Sequence, residues 1–133
     1  MEDKLAEAQK ELLNHAITAR ESAYAPYSHF KVGAAVRTKS GKVFSGCNVE
    51  NASYGLSICA ERVAIFNAVS SGDPEIVELA LFTDAKAPSR PCGACRQVLF
   101  EFAKSAKVIM GNKGATEVST IQKLFPEPFE LDR

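Results

Sequence analysis

Glu75-Ile76-Val77-Glu78-Leu79-Ala80-Leu81-Phe82-Thr83 is an almost unbroken apolar run. A run this continuous suits a strand covered on both faces, because a strand with one wet face alternates apolar and polar residues. The stretches on either side must then supply two layers of cover. Upstream, Leu5, Ala8, Leu12, Leu13, Ala16 and Ile17 recur at helical spacing over 4–23, which builds one face for burial. Tyr24-Ala25-Pro26-Tyr27-Ser28 ends that helix, since proline biases the residue before it away from helical geometry. Two strand-like runs, 31–39 and 42–50, meet at Ser40-Gly41 and read as a β-hairpin.

Residues 51–58 form a polar, glycine-containing loop. Cys59 opens a second helix that runs to about Ser71, with Val63, Ala64, Phe66 and Ala68 able to face inward, and Ser70-Ser71-Gly72-Asp73-Pro74 ends it. Beyond the central run, the loop 84–90 leads to Pro91, well placed to start a third helix from Cys92 to about Lys104. Val98, Leu99 and Phe102 mark its buried side. Val108-Ile109-Met110 and Thr116-Glu117-Val118 read as two more strands around the turn 111–114, followed by a short helix over 120–124 and a proline-bearing tail. Five strands interleaved with helices predict an α/β fold, a three-layer α/β/α arrangement with a five-stranded mixed sheet, as a single domain over 1–133. The chain shows no internal repeat, linker or low-complexity segment.

A chain of 133 residues is long enough for one sizeable core, with roughly two-thirds of its surface buried on folding. Sixteen basic residues balance sixteen acidic ones, so no global positive field exists to hold a phosphate backbone, and no nucleic-acid partner is expected. Met1-Glu2-Asp3-Lys4 is charged and leads into an amphipathic pattern, not an apolar signal core. No apolar run approaches the ~18 residues needed to span a bilayer. A soluble, cytoplasmic protein without a membrane partner is the expectation.

Four cysteines without a secretion signal argue for metal or redox use and against a disulfide framework. Pro91-Cys92-Gly93-Ala94-Cys95 brings two sulfurs close enough to grip one ion, and Cys59 supplies a third. Three protein ligands leave one corner of a zinc tetrahedron open, the arrangement of a catalytic site; four would close it. Cys59 and the pair Cys92/Cys95 each fall at a predicted helix start, where free N–H groups and the helix dipole favour anionic sulfur. Two facing helix starts would assemble the site at one edge of the sheet. Glu61, two residues after Cys59, is then better used as an acid/base beside a zinc-bound water than as a ligand. Three thiolates make the metal a poorer Lewis acid, and Arg62, next to Glu61, is the candidate to draw charge from the sulfurs, with a solvated surface arginine as the alternative. Arg96, just after Cys95, is a second candidate that nothing in the sequence favours. Cys47 reads as small core filling in a strand, with a fourth zinc ligand as the alternative.

Four stretches occur in order: Phe30-Lys31-Val32-Gly33-Ala34-Ala35, Gly46-Cys47-Asn48-Val49-Glu50-Asn51-Ala52, Cys59-Ala60-Glu61-Arg62 and Pro91-Cys92-Gly93-Ala94-Cys95-Arg96-Gln97. Together, and over nearly the whole chain, they resemble the small cytidine deaminases, the homotetrameric class with three cysteine ligands. The zinc signature is shared across deaminases, whereas Asn48-Val49-Glu50 is similar to the element that marks enzymes acting on free nucleosides. The resemblance implies one Zn²⁺ per chain on Cys59, Cys92 and Cys95, with Glu61 shuttling protons in the hydrolysis of cytidine and deoxycytidine to uridine and deoxyuridine. It implies Asn48 and Glu50 on the ribose hydroxyls, Phe30 against the nucleoside ring and Ala60 in the substrate site. It further implies Ala52, Tyr54 and Phe129 at the site of a neighbouring subunit in a homotetramer with shared active sites, and a role in pyrimidine salvage. Phe30 and Phe129 read equally as core residues, and Asn48 with Glu50 as a solvated strand end.

Arg90 stands before Pro91 where members of that family commonly carry serine, and His15 and His29 match no ligand position. Three rivals are distinguishable. A blasticidin-type deaminase shares the zinc motifs but lacks the Asn-x-Glu sugar clamp; an RNA- or DNA-editing deaminase is disfavoured by the balanced charge. A non-enzymatic zinc or redox module would need Cys92 and Cys95 to cycle as a dithiol or Cys47 to close the site.

Overall fold

Ile76–Thr83 forms the middle strand of a five-stranded sheet, as its apolar composition requires. A computed structural model of the chain describes residues 4–132. In chain order these hold α1 (Glu7–Arg20), β1 (Val32–Thr38), β2 (Val43–Cys47), a 3₁₀ turn (Tyr54–Leu56), α2 (Ala60–Ser70), β3 (Ile76–Thr83), α3 (Gly93–Phe102), β4 (Lys107–Gly111), β5 (Thr116–Thr120) and α4 (Ile121–Leu124). The strand order is β2-β1-β3-β4-β5, with β3 and β4 parallel and every other neighbour antiparallel. The expected three-layer α/β/α arrangement with a mixed sheet is present. No helix is long and apolar enough to cross a membrane.

Two cores lie on opposite faces of the sheet. On one, Leu12, Leu13 and Ala16 of α1 pack against Ala35, Ala80, Phe82 and Ile109. On the other, Ala60, Ala64, Ile65 and Ala68 of α2 and Leu99 of α3 pack against Ala34, Val36, Leu79, Leu81, Val108 and Met110. Alternate residues of β3 therefore serve different layers, which is why nearly the whole strand is apolar. Alanines at the crossings let the helices sit close to the sheet, and two glycines let them sit closer still. A Cβ on Gly33 would fall 1.9 Å from the Ala16 carbonyl oxygen, and one on Gly46 would fall 2.6 Å from the Ala64 amide nitrogen.

Some expectations are corrected. The first helix spans Glu7–Arg20, not the whole of 4–23, and Ala8 and Ile17 of its expected apolar face reach solvent. Phe66 does not face inward; it is 43% exposed, and its neighbour Ile65 is fully buried. The buried positions of α2 are 60, 61, 64, 65 and 68, a stripe that passes beside Phe66 because one residue rotates the helix by about 100°. The polar loop 51–58 holds the 3₁₀ turn and is pinned by a bridge between Val49 and Ile58.

Candidate active site

Two helix starts meet, as their sequence positions predict. Cys59 is the N-cap of α2 and Cys92 the N-cap of α3, with Cys95 in the first turn of α3. The Cys92 sulfur accepts from the Cys95 amide at 3.4 Å, so a sulfur occupies the place where a serine or aspartate oxygen usually caps a helix. The three sulfurs all lie within 4.8 Å of one another, and those of Cys59 and Cys92 are 3.9 Å apart. Two thiolates at ~2.3 Å from a tetrahedral zinc stand about 3.8 Å apart, so the donor set fits that ion. Cys47 is no part of this cluster; it sits half-buried in β2, and burial pushes its thiol pKa up. The cluster has three protein donors, and Cys92 is exposed on its open side.

The charges around the sulfurs are arranged to keep thiolate. The Cys95 thiol donates to Cys59, and the Arg62 guanidinium adds a hydrogen bond at 3.3 Å and its positive charge; together they pull the Cys59 pKa down to about 5 against the cost of burial. Cys95, facing that thiolate and buried, is pushed upward. Arg62 reaches Cys59 through Nη2, and its buried Nε has no hydrogen-bond partner among the described residues. Arg96 takes no such part: its Nε donates to the Pro91 carbonyl at 2.8 Å and its Nη1 to the Leu124 carbonyl at 2.6 Å, tying the motif to α4.

Glu61 is 5% exposed in the first turn of α2. Burial pushes its pKa up to about 7, and the neighbouring Cys59 thiolate pushes the same way. Such a carboxyl exchanges a proton near neutral pH, which is what a general acid/base requires. It lines a cleft of about 280 Å³ together with Cys59, Cys92, Ala60, Phe30, Val32, Asn48, Glu50, Leu81, Thr83, Ser89 and Arg90. The cleft opens where the carboxyl end of β3 meets the start of β1, with Thr83 opposite Val32.

Among the residues expected at the substrate, Phe30, Asn48, Glu50 and Ala60 are therefore brought together with the metal cluster. Asn48 is buried and holds the start of β1: its Oδ1 accepts from Val32 N at 2.9 Å and its Nδ2 donates to Phe30 O at 2.8 Å. Glu50 accepts from Tyr27 N at 3.0 Å, Ser28 N at 3.1 Å and the Ser28 hydroxyl, which hold its carboxyl below the ordinary range, the hydroxyl foremost. Ala52, Tyr54 and Phe129 lie outside the chain's own cleft. Ala52 is exposed, Tyr54 is 75% exposed and packs edge-on to Tyr27, and Phe129 is 69% exposed. Arg90 is at the rim, paired to Glu117 of β5 at 2.8 Å, and His15 and His29 are exposed and away from the cluster.

Three features escaped the sequence reading. Tyr27 and Ser28 hold Glu50 across 22 residues or more, with no local spacing to announce the pairing. Thr83 and Ser89 share a hydroxyl–hydroxyl contact at 3.2 Å in the cleft wall. Gln97, one of the residues in the quoted motif, clamps the tail: its side-chain amide both accepts from Phe129 N and donates to Phe129 O.

A family model described as the cytidine and deoxycytidylate deaminase zinc-binding region matches residues 6–112. The chain belongs to the cytidine deaminase family. It is 50% identical over 123 residues to the cytidine deaminase of Halalkalibacterium halodurans, covering 91% of this chain and 93% of that one. The crystal structure of cytidine deaminase from Burkholderia pseudomallei superposes with a TM-score of 0.88 at 46% identity, covering 94% of this chain and all of the other. The blasticidin-S deaminase of Bacillus cereus is more distant, at 32% identity over 71% of this chain and 74% of its own. The resemblance read from four short stretches thus extends over the whole fold.

Proposed function

We propose that the chain hydrolyses cytidine and deoxycytidine to uridine and deoxyuridine with release of ammonia, as a cytoplasmic enzyme of pyrimidine salvage. The observation that carries this reading is the buried carboxyl of Glu61 in the wall of a cleft that Cys59 and Cys92 of the three-cysteine cluster also line. Cys59, Cys92 and Cys95 would hold the zinc, which when bound would supply an acidified water as nucleophile. Glu61 is placed to take one proton from the attacking water and deliver it to N3 of cytosine as the C4–O bond forms. It is then placed to carry the second proton, from the new 4-hydroxyl, to the 4-amino group as the C4–N bond breaks and ammonia leaves. Arg62 holds the Cys59 thiolate, and Phe30 packs on the nucleoside ring above Ala60. Asn48 and Glu50 meet the ribose. A cleft of about 280 Å³ lies just below the ~300–1,000 Å³ of drug-sized sites, which suits one nucleoside, and the chain's balanced charge disfavours a nucleic-acid strand. The sugar end of the cleft supports this reading over a blasticidin-type substrate.

We further propose that the protein acts as a homotetramer with shared sites. Tyr27, Tyr54, Leu56 and Phe129 are large, exposed and apolar, and Tyr27 and Tyr54 line a second hollow that shares Glu50 and Ser57 with the cleft. A neighbouring copy that covers this hollow would bring Ala52, Tyr54 and Phe129 to a site other than their own. The test of activity is ultraviolet absorbance of cytidine, deoxycytidine and free cytosine mixed with zinc-loaded protein. Loss of the nucleoside band with ammonia release, and none with cytosine, is expected. No change with any of the three would refute the proposed reaction.

A further inference from the structure

Glu50 reaches the cleft with most of its acceptor capacity taken. An ionised carboxylate offers about four lone-pair positions. Tyr27 N and Ser28 N occupy two on Oε1, and the Ser28 hydroxyl occupies one on Oε2. One position is left, on Oε2, at a residue that lines the cleft. The same Ser28 oxygen accepts from Phe30 N at 3.0 Å, so one hydroxyl fixes both the carboxylate and the aromatic residue of the cleft. This is possible because His29 between them adopts a left-handed backbone, φ 60°, which turns Phe30 N back toward Ser28. Asn48 completes the frame by holding Phe30 O and Val32 N. Ser28 itself is exposed and buries nothing in either core.

We propose that Ser28 is a specificity-determining positioning residue: its hydroxyl aims Glu50 so that one acceptor position, on Oε2, is presented to the sugar of a bound nucleoside. The inference rests on the proposed reading of Glu50 as a sugar contact. On this geometry one ribose hydroxyl donates to Glu50 and is the one that Asn48 also meets, while the other donates to neither. An enzyme so built tolerates the loss of one hydroxyl, in keeping with use of both cytidine and deoxycytidine.

The test is steady-state kinetics of zinc-loaded enzyme with cytidine, 2′-deoxycytidine, 3′-deoxycytidine and 2′,3′-dideoxycytidine. In the native protein, removing one hydroxyl should lower kcat/KM by about tenfold or more, and removing the other by less than about threefold. In Ser28→Ala, KM for cytidine should rise about tenfold, whereas KM for the dideoxy substrate, which feels only the loosened Phe30, should rise by less than about threefold; Ser28→Thr should restore cytidine binding. Equal losses for cytidine and dideoxycytidine in Ser28→Ala would overturn the proposal. So would large, independent penalties for both hydroxyls in the native enzyme, a measurement that needs no substitution. Glu50→Gln separates the two layers of the argument. If it leaves the hydroxyl dependence intact, the sugar reading of Glu50 fails; if it abolishes that dependence while Ser28→Ala does not, the role of Ser28 alone fails.

Discussion

Glu61 and Arg62 are adjacent in sequence and do opposite things, because one residue rotates the helix by about 100°, so that Glu61 lines the cleft and Arg62 meets the Cys59 sulfur. Replacing Glu61 by Gln keeps the shape and removes the exchangeable proton. Turnover should fall by about 10²–10⁴-fold with zinc content and melting temperature unchanged; a variant retaining most of its activity would remove Glu61 from the reaction. Arg62→Gln leaves Glu61 in place but withdraws the charge and hydrogen bond from Cys59. It should weaken zinc retention by about 10–100-fold in competition with a chelator, and retention equal to the native protein would make Arg62 an ordinary surface cation. These residues were legible in the sequence because chelation and proton transfer demand fixed residue types at short spacing. The preference for Arg62 over Arg96 was also legible, from its place beside Glu61 at a helix start, but the role of Arg96 was not: only the fold shows that it is taken up by two carbonyls. Ser28 was invisible for a related reason: its partner Glu50 is far along the chain, and nothing in Tyr27-Ser28 alone calls for a carboxylate.

At the scale of elements, the cleft depends on how tightly α2 lies on the sheet, since its first turn carries Cys59 and Glu61. Gly46 of β2 sits directly beneath Ala64, so that an added Cβ meets backbone, which cannot swing aside. Gly46→Ala should therefore destabilise the fold by about 1–3 kcal/mol in urea denaturation, and should also loosen zinc because α2 must lift; full stability in this variant would mean that the helix adjusts freely. The hairpin reading located β1 and β2 correctly but gave no hint of this contact, because a glycine in a strand is silent about which helix crosses it. A second element-level contact has a pH signature. Asp73, after α2, accepts from the hydroxyls of Thr38 and Ser40 at 2.7 Å each, and those donors hold its pKa below the ordinary value. Its folded pKa is lowered, so its contribution is complete above the unfolded value of ~3.9 and disappears as pH falls through the folded one. The stability gap between the native protein and Asp73→Ala should accordingly be open at pH 7 and narrow below about pH 4 in parallel denaturant titrations. A gap independent of pH would assign the effect to packing.

At the scale of the whole molecule, Ala52, Tyr54 and Phe129 lie outside the lining of the chain's own cleft, and this separation is itself informative. The resemblance singled them out, yet periodicity offered no reason for an exposed Tyr54 or a tail phenylalanine held outward by Gln97. On the proposed shared-site reading, the partners of these side chains belong to another copy. If sites are shared, two defective chains should repair each other. Glu61→Gln copies carry an intact Tyr54 but an inert cleft; Tyr54→Ala copies carry an intact Glu61 but lack the side chain they lend to a neighbour. In oligomers that mix the two, some clefts combine a working Glu61 with a working Tyr54 from the next copy. Mixed samples refolded together should therefore exceed the sum of the separate activities, and the gain should peak near equal proportions. Light scattering of the same samples should give a mass about four times that of one chain. If activity is only additive at every ratio, each cleft is completed by its own chain, and the exposed apolar side chains serve assembly alone.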